Sequence, residues 1–192
     1  MRVLTQLGGS FAARIAGAVP EATVVVVPGD GEPPAEAWGE VLLALPWGTP
    51  NLAQVLARGV GWVHVLGTGV DRFPMHLVAD DVLLTCSRGG SAVPIAEWVL
   101  AVMLAFEKRL PETWIREPPA RGWHSAPLGG LAGKTLGLLG MGAIGQAVAR
   151  RALAFDMRVV GCRRTAAPSP VAGVELVTLD ALLRRADHLV IA

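Results

Sequence analysis

Short apolar runs recur along the chain at residues 3–7, 23–27, 41–45, 63–66 and 82–85, with longer stretches of helical periodicity between several of them. Runs of this length that do not alternate with polar residues fit strands buried on both faces of a parallel sheet. Ser10 stands ahead of residues 11–18 and Asn51 ahead of residues 52–58. Both are residue types that cap helices, so the rhythm reads β-α-β rather than hairpin. The Gly- and Pro-rich stretch 28–34 reads as a surface connection. Helical periodicity returns over 93–109 and is broken by Pro111, Pro118, Pro119 and Gly122. A second set follows: an apolar run at 136–139, a helix over 146–155 with Val148, Ala149, Ala152, Leu153 and Phe155 on one stripe, and a run at 157–161. The pattern predicts an α/β protein of parallel sheets flanked by helices, divided near the 93–109 helix into segments 1–92 and 93–192.

The turn between the run at 136–139 and the next helix reads Gly140-Met141-Gly142-Ala143-Ile144-Gly145. In a strand–turn–helix–strand context this spacing is the phosphate grip of a dinucleotide-binding fold. Gly140 makes the tight turn, Gly142 admits the pyrophosphate to the backbone, and Gly145 lets helix and sheet pack closely. The helix N-terminus adds N–H groups and partial positive charge. The bland alternative is a helix cap that binds nothing, and a methyl-donor-binding turn is a second.

An NAD-specific site needs a carboxylate about 20 residues past the glycine turn to accept from the ribose hydroxyls. This chain has Arg163 and Arg164 at the end of the second run, followed by Thr165. Guanidinium groups bind a 2′-phosphate bidentately and offer no acceptor to a 2′-hydroxyl, which favours NADP over NAD and counts against a methyl-donor site.

Composition narrows the setting. Of 192 residues, 52% are hydrophobic and 17% charged, which disfavours disorder, and a net charge of +1 gives no field to gather nucleic acid. The cysteines, Cys86 and Cys162, point to a reducing, cytoplasmic compartment rather than a disulfide framework. Polar residues interrupt the N-terminal apolar stretch, and the segment 98–106 is far short of a membrane span, so no membrane partner is expected. His76 with Asp80 and Asp81 reads as a solvated loop, so no metal site is expected either. Trp98, Trp114 and Trp123 cluster around the connector and mark either a subunit-facing surface or core.

Four segments in order resemble the D-isomer-specific 2-hydroxyacid dehydrogenase family, specifically its NADP-using, glyoxylate/hydroxypyruvate reductase-like members. They are Leu66-Gly67-Thr68-Gly69-Val70-Asp71; Val93-Pro94-Ile95-Ala96-Glu97; Trp123 with Leu131-Ala132-Gly133-Lys134-Thr135-Leu136-Gly137; and Ala186-Asp187-His188-Leu189-Val190-Ile191-Ala192. The resemblance implies a flavodoxin-like substrate domain over 1–92, then an interdomain helix and the first half of a Rossmann domain over 93–192. It implies hydride transfer between NADP(H) and a small 2-oxo or 2-hydroxy acid, in a homodimer when the chain is full length. Backbone N–H groups at Thr68 and Gly69 would hold the substrate carboxylate, Asp71 would brace that loop, and Ile95 would lie against the nicotinamide. Glu97 is expected as a helix cap or dipole partner.

The family's arginine, glutamate and proton-exchanging histidine are expected beyond residue 192. His64, His76, His124 and His188 lack that histidine's context. The chain is therefore expected to be a C-terminally truncated piece with no catalytic residue, inactive alone and prone to self-associate through an uncovered strand edge at Leu189. The alternative is a non-catalytic NADP(H)-binding or redox-sensing protein. Trp47 either shapes a substrate pocket or fills core.

Overall fold

The computed structural model, which describes residues 1–114, 117, 127–165 and 167–192, turns the apolar runs into two parallel sheets. Trp123, His124, Pro118, Pro119 and Gly122 lie outside the described residues. The chain divides into two compact units, Met1–Gly90 and Ser91–Ala192.

In the first unit β1 (Arg2–Thr5), α1 (Gly9–Ala18), β2 (Thr23–Val26), β3 (Val41–Ala44), α2 (Leu52–Leu56), β4 (Trp62–Val65) and β5 (Leu83–Cys86) follow one another. The strand order is β2-β1-β3-β4-β5, every pairing parallel, which is the flavodoxin-like arrangement. Successive residues of β1 go to opposite faces: Leu4 packs with Leu42, Val63 and Val65, while Val3 packs with Ala22 and Val41. Burial on both faces explains why the apolar Val3 and Leu4 stand side by side rather than alternating with polar residues.

Neither expected cap forms. Ser10 lies inside α1, which begins one residue earlier, with Gly8 at the N-cap position and no side-chain cap. Asn51 does precede α2, but its side chain turns away from the helix. Its Nδ2 donates to the carbonyls of Pro28 (3.1 Å) and Gly31 (2.8 Å), and its Oδ1 accepts from Gln6 Nε2 at 2.8 Å. A buried amide needs all its partners, and the Gly/Pro-rich loop offers two carbonyls that a helix terminus would not.

The second unit comprises α3 (Ala92–Glu107), β6 (Thr135–Leu139), α4 (Ala143–Ala154), β7 (Arg158–Cys162), β8 (Val174–Leu176), α5 (Leu179–Arg185) and β9 (His188–Ile191). Its order, β8-β7-β6-β9, is parallel throughout and matches the first four strands of a Rossmann sheet. Ala96, Leu100 and Met103 of α3 share one core with Val148, Ala149 and Ala152 of α4, where small side chains let the helices approach closely. β8 and α5 are elements that periodicity does not reveal, because three and seven residues are too few to show a pattern. Thr178 starts α5, its Oγ1 accepting from the Ala181 N–H at 3.2 Å, with Asp180 in the first turn and Arg184 and Arg185 in the last. Among the described residues no helix is long and apolar enough to cross a membrane.

Candidate functional site: a glycine turn, an arginine cleft and an amide loop

The three glycines after β6 are required for three different reasons. Gly140 has φ +110°, and a Cβ there would lie 1.9 Å from the Ala192 carbonyl oxygen. A Cβ on Gly145 would lie 2.1 Å from the Gly140 carbonyl oxygen, so the start of α4 presses directly on the turn. Gly142, the N-cap of α4, faces open space with nothing within 4 Å of its virtual Cβ. A ligand can therefore approach its backbone.

The first turn of α4 leaves backbone N–H groups open. The earliest bond of the helix runs from the Gln146 N–H to the Gly142 carbonyl, and the amides of Ala143, Ile144 and Gly145 have no acceptor among the described residues. No acidic side chain occupies that turn. Met141 contributes backbone only: its side chain is buried, with Sδ against Gly161.

Beside the turn, Cys162, Arg163 and Thr165 at the end of β7 line an open cleft of about 720 Å³ with Glu175, Thr178 and Arg185 from β8 and α5. Cys162, Arg163, Thr165 and Thr178 stand at the carboxyl end of parallel strands, where open α/β sheets bind ligands, while Glu175 in the middle of β8 and Arg185 in the last turn of α5 form the lower wall. Arg163 is half-buried and its Nη1 sits 3.4 Å from the Pro168 carbonyl, whereas Arg164 is exposed and stands off the cleft lining. Arg185 grips Glu175 with both ends of its guanidinium, at 2.8 and 2.5 Å. These hydrogen bonds hold the Glu175 carboxyl below its usual range and raise Arg185 above its own.

In the first unit, the loop after β4 begins with Gly67 at φ +107°. The Gly67 carbonyl accepts from the Ser87 N–H at 2.9 Å, and the Thr68 carbonyl accepts from Cys86 Sγ at 3.5 Å. Both carbonyls are thus drawn toward β5, while the exposed N–H groups of Thr68 and Gly69 have no acceptor among the described residues. Asp71 meets this loop by contact rather than by hydrogen bond: a Cβ on Gly69 would sit 2.9 Å from its Oδ2. Trp47, 65% exposed, is not core.

In α3, Ile95 is half-buried in the first turn. Glu97 is not a cap; it lies one turn further in and pairs with Arg151 at 3.4 Å. Trp98 is 66% exposed, and Trp114 beyond the helix is 65% exposed, so neither is core.

Two of the histidines are held in polar networks. His64 Nδ1 lies 2.9 Å from Thr85 Oγ1 and its Nε2 3.0 Å from Ser87 Oγ, and Trp62 Nε1 donates to the same threonine. His188 Nε2 lies 2.8 Å from Oε1 of the buried Glu107, which also accepts from Lys134 Nζ at 2.5 Å. The Lys134 hydrogen bond, with a smaller contribution from His188, outweighs burial and lowers the Glu107 carboxyl below its ordinary value. Lys134 precedes β6 and His188 opens β9, so this cluster sits at the opposite end of the sheet from the glycine turn. Sequence reasoning missed it, although a charged residue closing the apolar stretch 98–106 was a signal. His76 is exposed, and the described residues contain no group of three potential metal ligands.

Comparison with known proteins connects these features. The family model for the D-isomer specific 2-hydroxyacid dehydrogenase NAD binding domain matches residues 100–192. D-3-phosphoglycerate dehydrogenase of Mycobacterium tuberculosis is 34% identical over 182 residues, covering 92% of this chain and 31% of that protein. Hydroxypyruvate reductase of Thermotoga maritima is 33% identical over 126 residues, 64% of this chain and 40% of its own. The crystal structure of the TT0316 protein from Thermus thermophilus superimposes with a TM-score of 0.70 at 33% identity, covering all of this chain and 64% of that one. The chain therefore spans less than two thirds of the length of each of these relatives. With the Rossmann-type strand order and the glycine turn in place, the chain belongs to the D-isomer-specific 2-hydroxyacid dehydrogenase family.

Proposed function

We propose that this chain is the nucleotide- and carboxylate-gripping part of an NADP(H)-dependent reductase of small 2-oxo acids. The observation that carries the nucleotide choice is that Arg163 and Thr165 line the cleft beside the glycine turn, while its carboxylate, Glu175, has both oxygens taken by Arg185. A 2′-phosphate finds a cation there, and a 2′-hydroxyl finds no available carboxylate acceptor.

The residues fit the cofactor. The backbone at Gly140, Met141, Gly142, Ala143, Ile144 and Gly145 would take the pyrophosphate, with Gly142 open to it and α4 amides aimed at it. Arg163, with Arg164 and Thr165 beside it, would take the 2′-phosphate, and Ile95 would offer the nicotinamide an apolar contact. The cofactor's chemistry is delivery of a hydride to a carbonyl carbon. The N–H groups of Thr68 and Gly69 would hold the carboxylate of the 2-oxo acid and so fix which carbon is presented. Relatives named hydroxypyruvate reductase and glyoxylate reductase point to a small substrate of this kind.

Acid–base chemistry is the part these residues do not supply. His64 is occupied by Thr85 and Ser87, and His188 by Glu107 at the far end of the sheet. The 192-residue chain is accordingly expected to bind both ligands without turnover. The same engagement of the histidines supports the second reading, a non-catalytic NADP(H) sensor. A homodimer is proposed on the exposed apolar stripe of α3, and a cytoplasmic setting on the two free cysteines.

Fluorescence titration with NADPH and NADH tests the reading, with Arg163→Asp as the control. NADPH preference of at least about tenfold, abolished by the substitution, is the expected result, since a lost charge-assisted phosphate contact removes that much. Equal affinity for the two nucleotides would overturn the NADP assignment. Turnover of glyoxylate or hydroxypyruvate by the isolated chain would overturn the predicted inactivity.

A further inference from the structure

Glu175 is a carboxylate on the cleft wall, yet it stands on β8 rather than at the end of β7, and Arg185 binds both of its oxygens. The described cleft lining thus carries three charged side chains, Arg163, Arg185 and Glu175, of which the last two cancel and leave Arg163 to set the sign. We infer that the Arg185–Glu175 pair is a specificity device: Arg185 masks a carboxylate that would otherwise repel a 2′-phosphate and accept from a 2′-hydroxyl. This rests on the NADP reading above.

The physical reasons are three. A bidentate guanidinium–carboxylate contact occupies the acceptor directions a ribose hydroxyl would need. The pair spans β8 and the last turn of α5, so its two halves come from separate elements and meet only at the cleft wall. Both partners are partly exposed, at 43% and 58% of their side chains, so solvent screening keeps the pair's contribution to folding small and leaves its effect to be read at the ligand.

The two halves make opposite predictions. Arg185→Gln uncovers the carboxylate and is expected to weaken NADPH binding by at least about fivefold while NADH binding holds or tightens, the size expected of one unit charge acting across a solvated cleft. Glu175→Gln frees a guanidinium and is expected to tighten NADPH by a similar factor. The double variant returns toward the wild-type ratio, because both the mask and the masked charge are gone.

The experiment is nucleotide titration of the full 192-residue chain and these three variants, with thermal melts alongside. Opposed shifts in the NADPH:NADH ratio that cancel in the double variant establish the device. A selective wild type whose ratio moves in neither single variant overturns this inference and leaves the NADP reading standing. A wild type without NADPH preference overturns both. If Arg185→Gln does not fold, Glu175→Gln decides alone: NADPH affinity that fails to rise overturns the proposal.

Discussion

Glu107 Oε1 lies 2.8 Å from His188 Nε2, joining the last residue of α3 to the first residue of β9 across a sequence gap of 81. Lys134 Nζ reaches the same oxygen from the entry to β6. The carboxylate is buried, and its other oxygen lies so close to Gly129 that a Cβ there would sit 1.9 Å from it. One acid thus pins a helix end, a strand entry and the sheet's edge strand together, well away from the glycine turn.

Replacing that acid should loosen the second unit. Glu107→Gln keeps the shape but loses the charge both donors face, and a fall in Tm of at least about 4 °C at neutral pH is expected. The pH dependence follows from linkage. The folded-state carboxyl titrates below its ordinary 4.5, so the unfolded chain binds the proton more readily. Its stabilisation is complete above that value and is lost as pH falls through the depressed one. Melting wild type and variant side by side from neutral pH downward should show the gap between them closing in acid; coincident curves would mean the carboxylate contributes nothing, and a constant gap would mean its charge is not the cause.

The glycine turn separates packing from binding. Gly145→Ala forces a methyl against a backbone carbonyl and should cost about 2 kcal/mol or more. Gly142→Ala meets no atom within 4 Å at a φ of −74°, so the melt should stay within about 1 °C of wild type. Yet the new methyl stands where a pyrophosphate would approach, and NADPH affinity should fall by at least about tenfold. Undiminished binding by Gly142→Ala would show that the nucleotide does not use this turn.

Much of this was legible in the sequence, and the reasons differ by element. The strand runs and the glycine spacing are readable because burial on both faces and the approach of backbone to phosphate each demand particular residues at fixed intervals. Asn51 misleads because capping chemistry and buried-amide chemistry use the same side chain, and only the fold shows that Pro28 and Gly31 bring carbonyls to it. The Arg185–Glu175 pair and the partners of Glu107 are not readable, since residues 10 and 81 positions apart meet only once the strand order is known; Glu107 itself shows in sequence only as a charge closing the apolar stretch 98–106. Arg163 and Arg164 look equivalent in sequence; the cleft lining includes the first and not the second.

The amide loop after β4 makes a prediction that needs no turnover. If the N–H groups of Thr68 and Gly69 grip a carboxylate, titrating oxalate into isotopically labelled protein should move their backbone amide proton resonances downfield together. Thr68→Ala should leave that response intact, because the grip belongs to the backbone and the hydrogen bond Thr68 makes to Cys86 runs through its carbonyl. Amide signals at both positions that stay fixed at saturating oxalate would remove the loop from the substrate site.

The outward face of α3 carries Trp98, Val102 and Phe106 at i, i+4 and i+8, exposed at 66, 46 and 74%. Two aromatics of some 150–250 Å² each do not alone reach the roughly 800 Å² per partner of a stable interface. Leu110 and Trp114 extend the apolar surface beyond the helix end. Self-association should therefore be strong enough to see by sedimentation velocity at micromolar concentration. Phe106 is a poor probe, since its ring meets His188 edge-on at 6.1 Å and its loss would disturb the Glu107 cluster. Trp98→Glu is the cleaner one: the side chain is exposed, so the melt should be unchanged, while an aromatic anchor replaced by a charge should weaken the dimer by about thirtyfold or more. A wild-type chain that sediments as a monomer would overturn the self-association, and a dimer indifferent to Trp98→Glu would move the interface off α3.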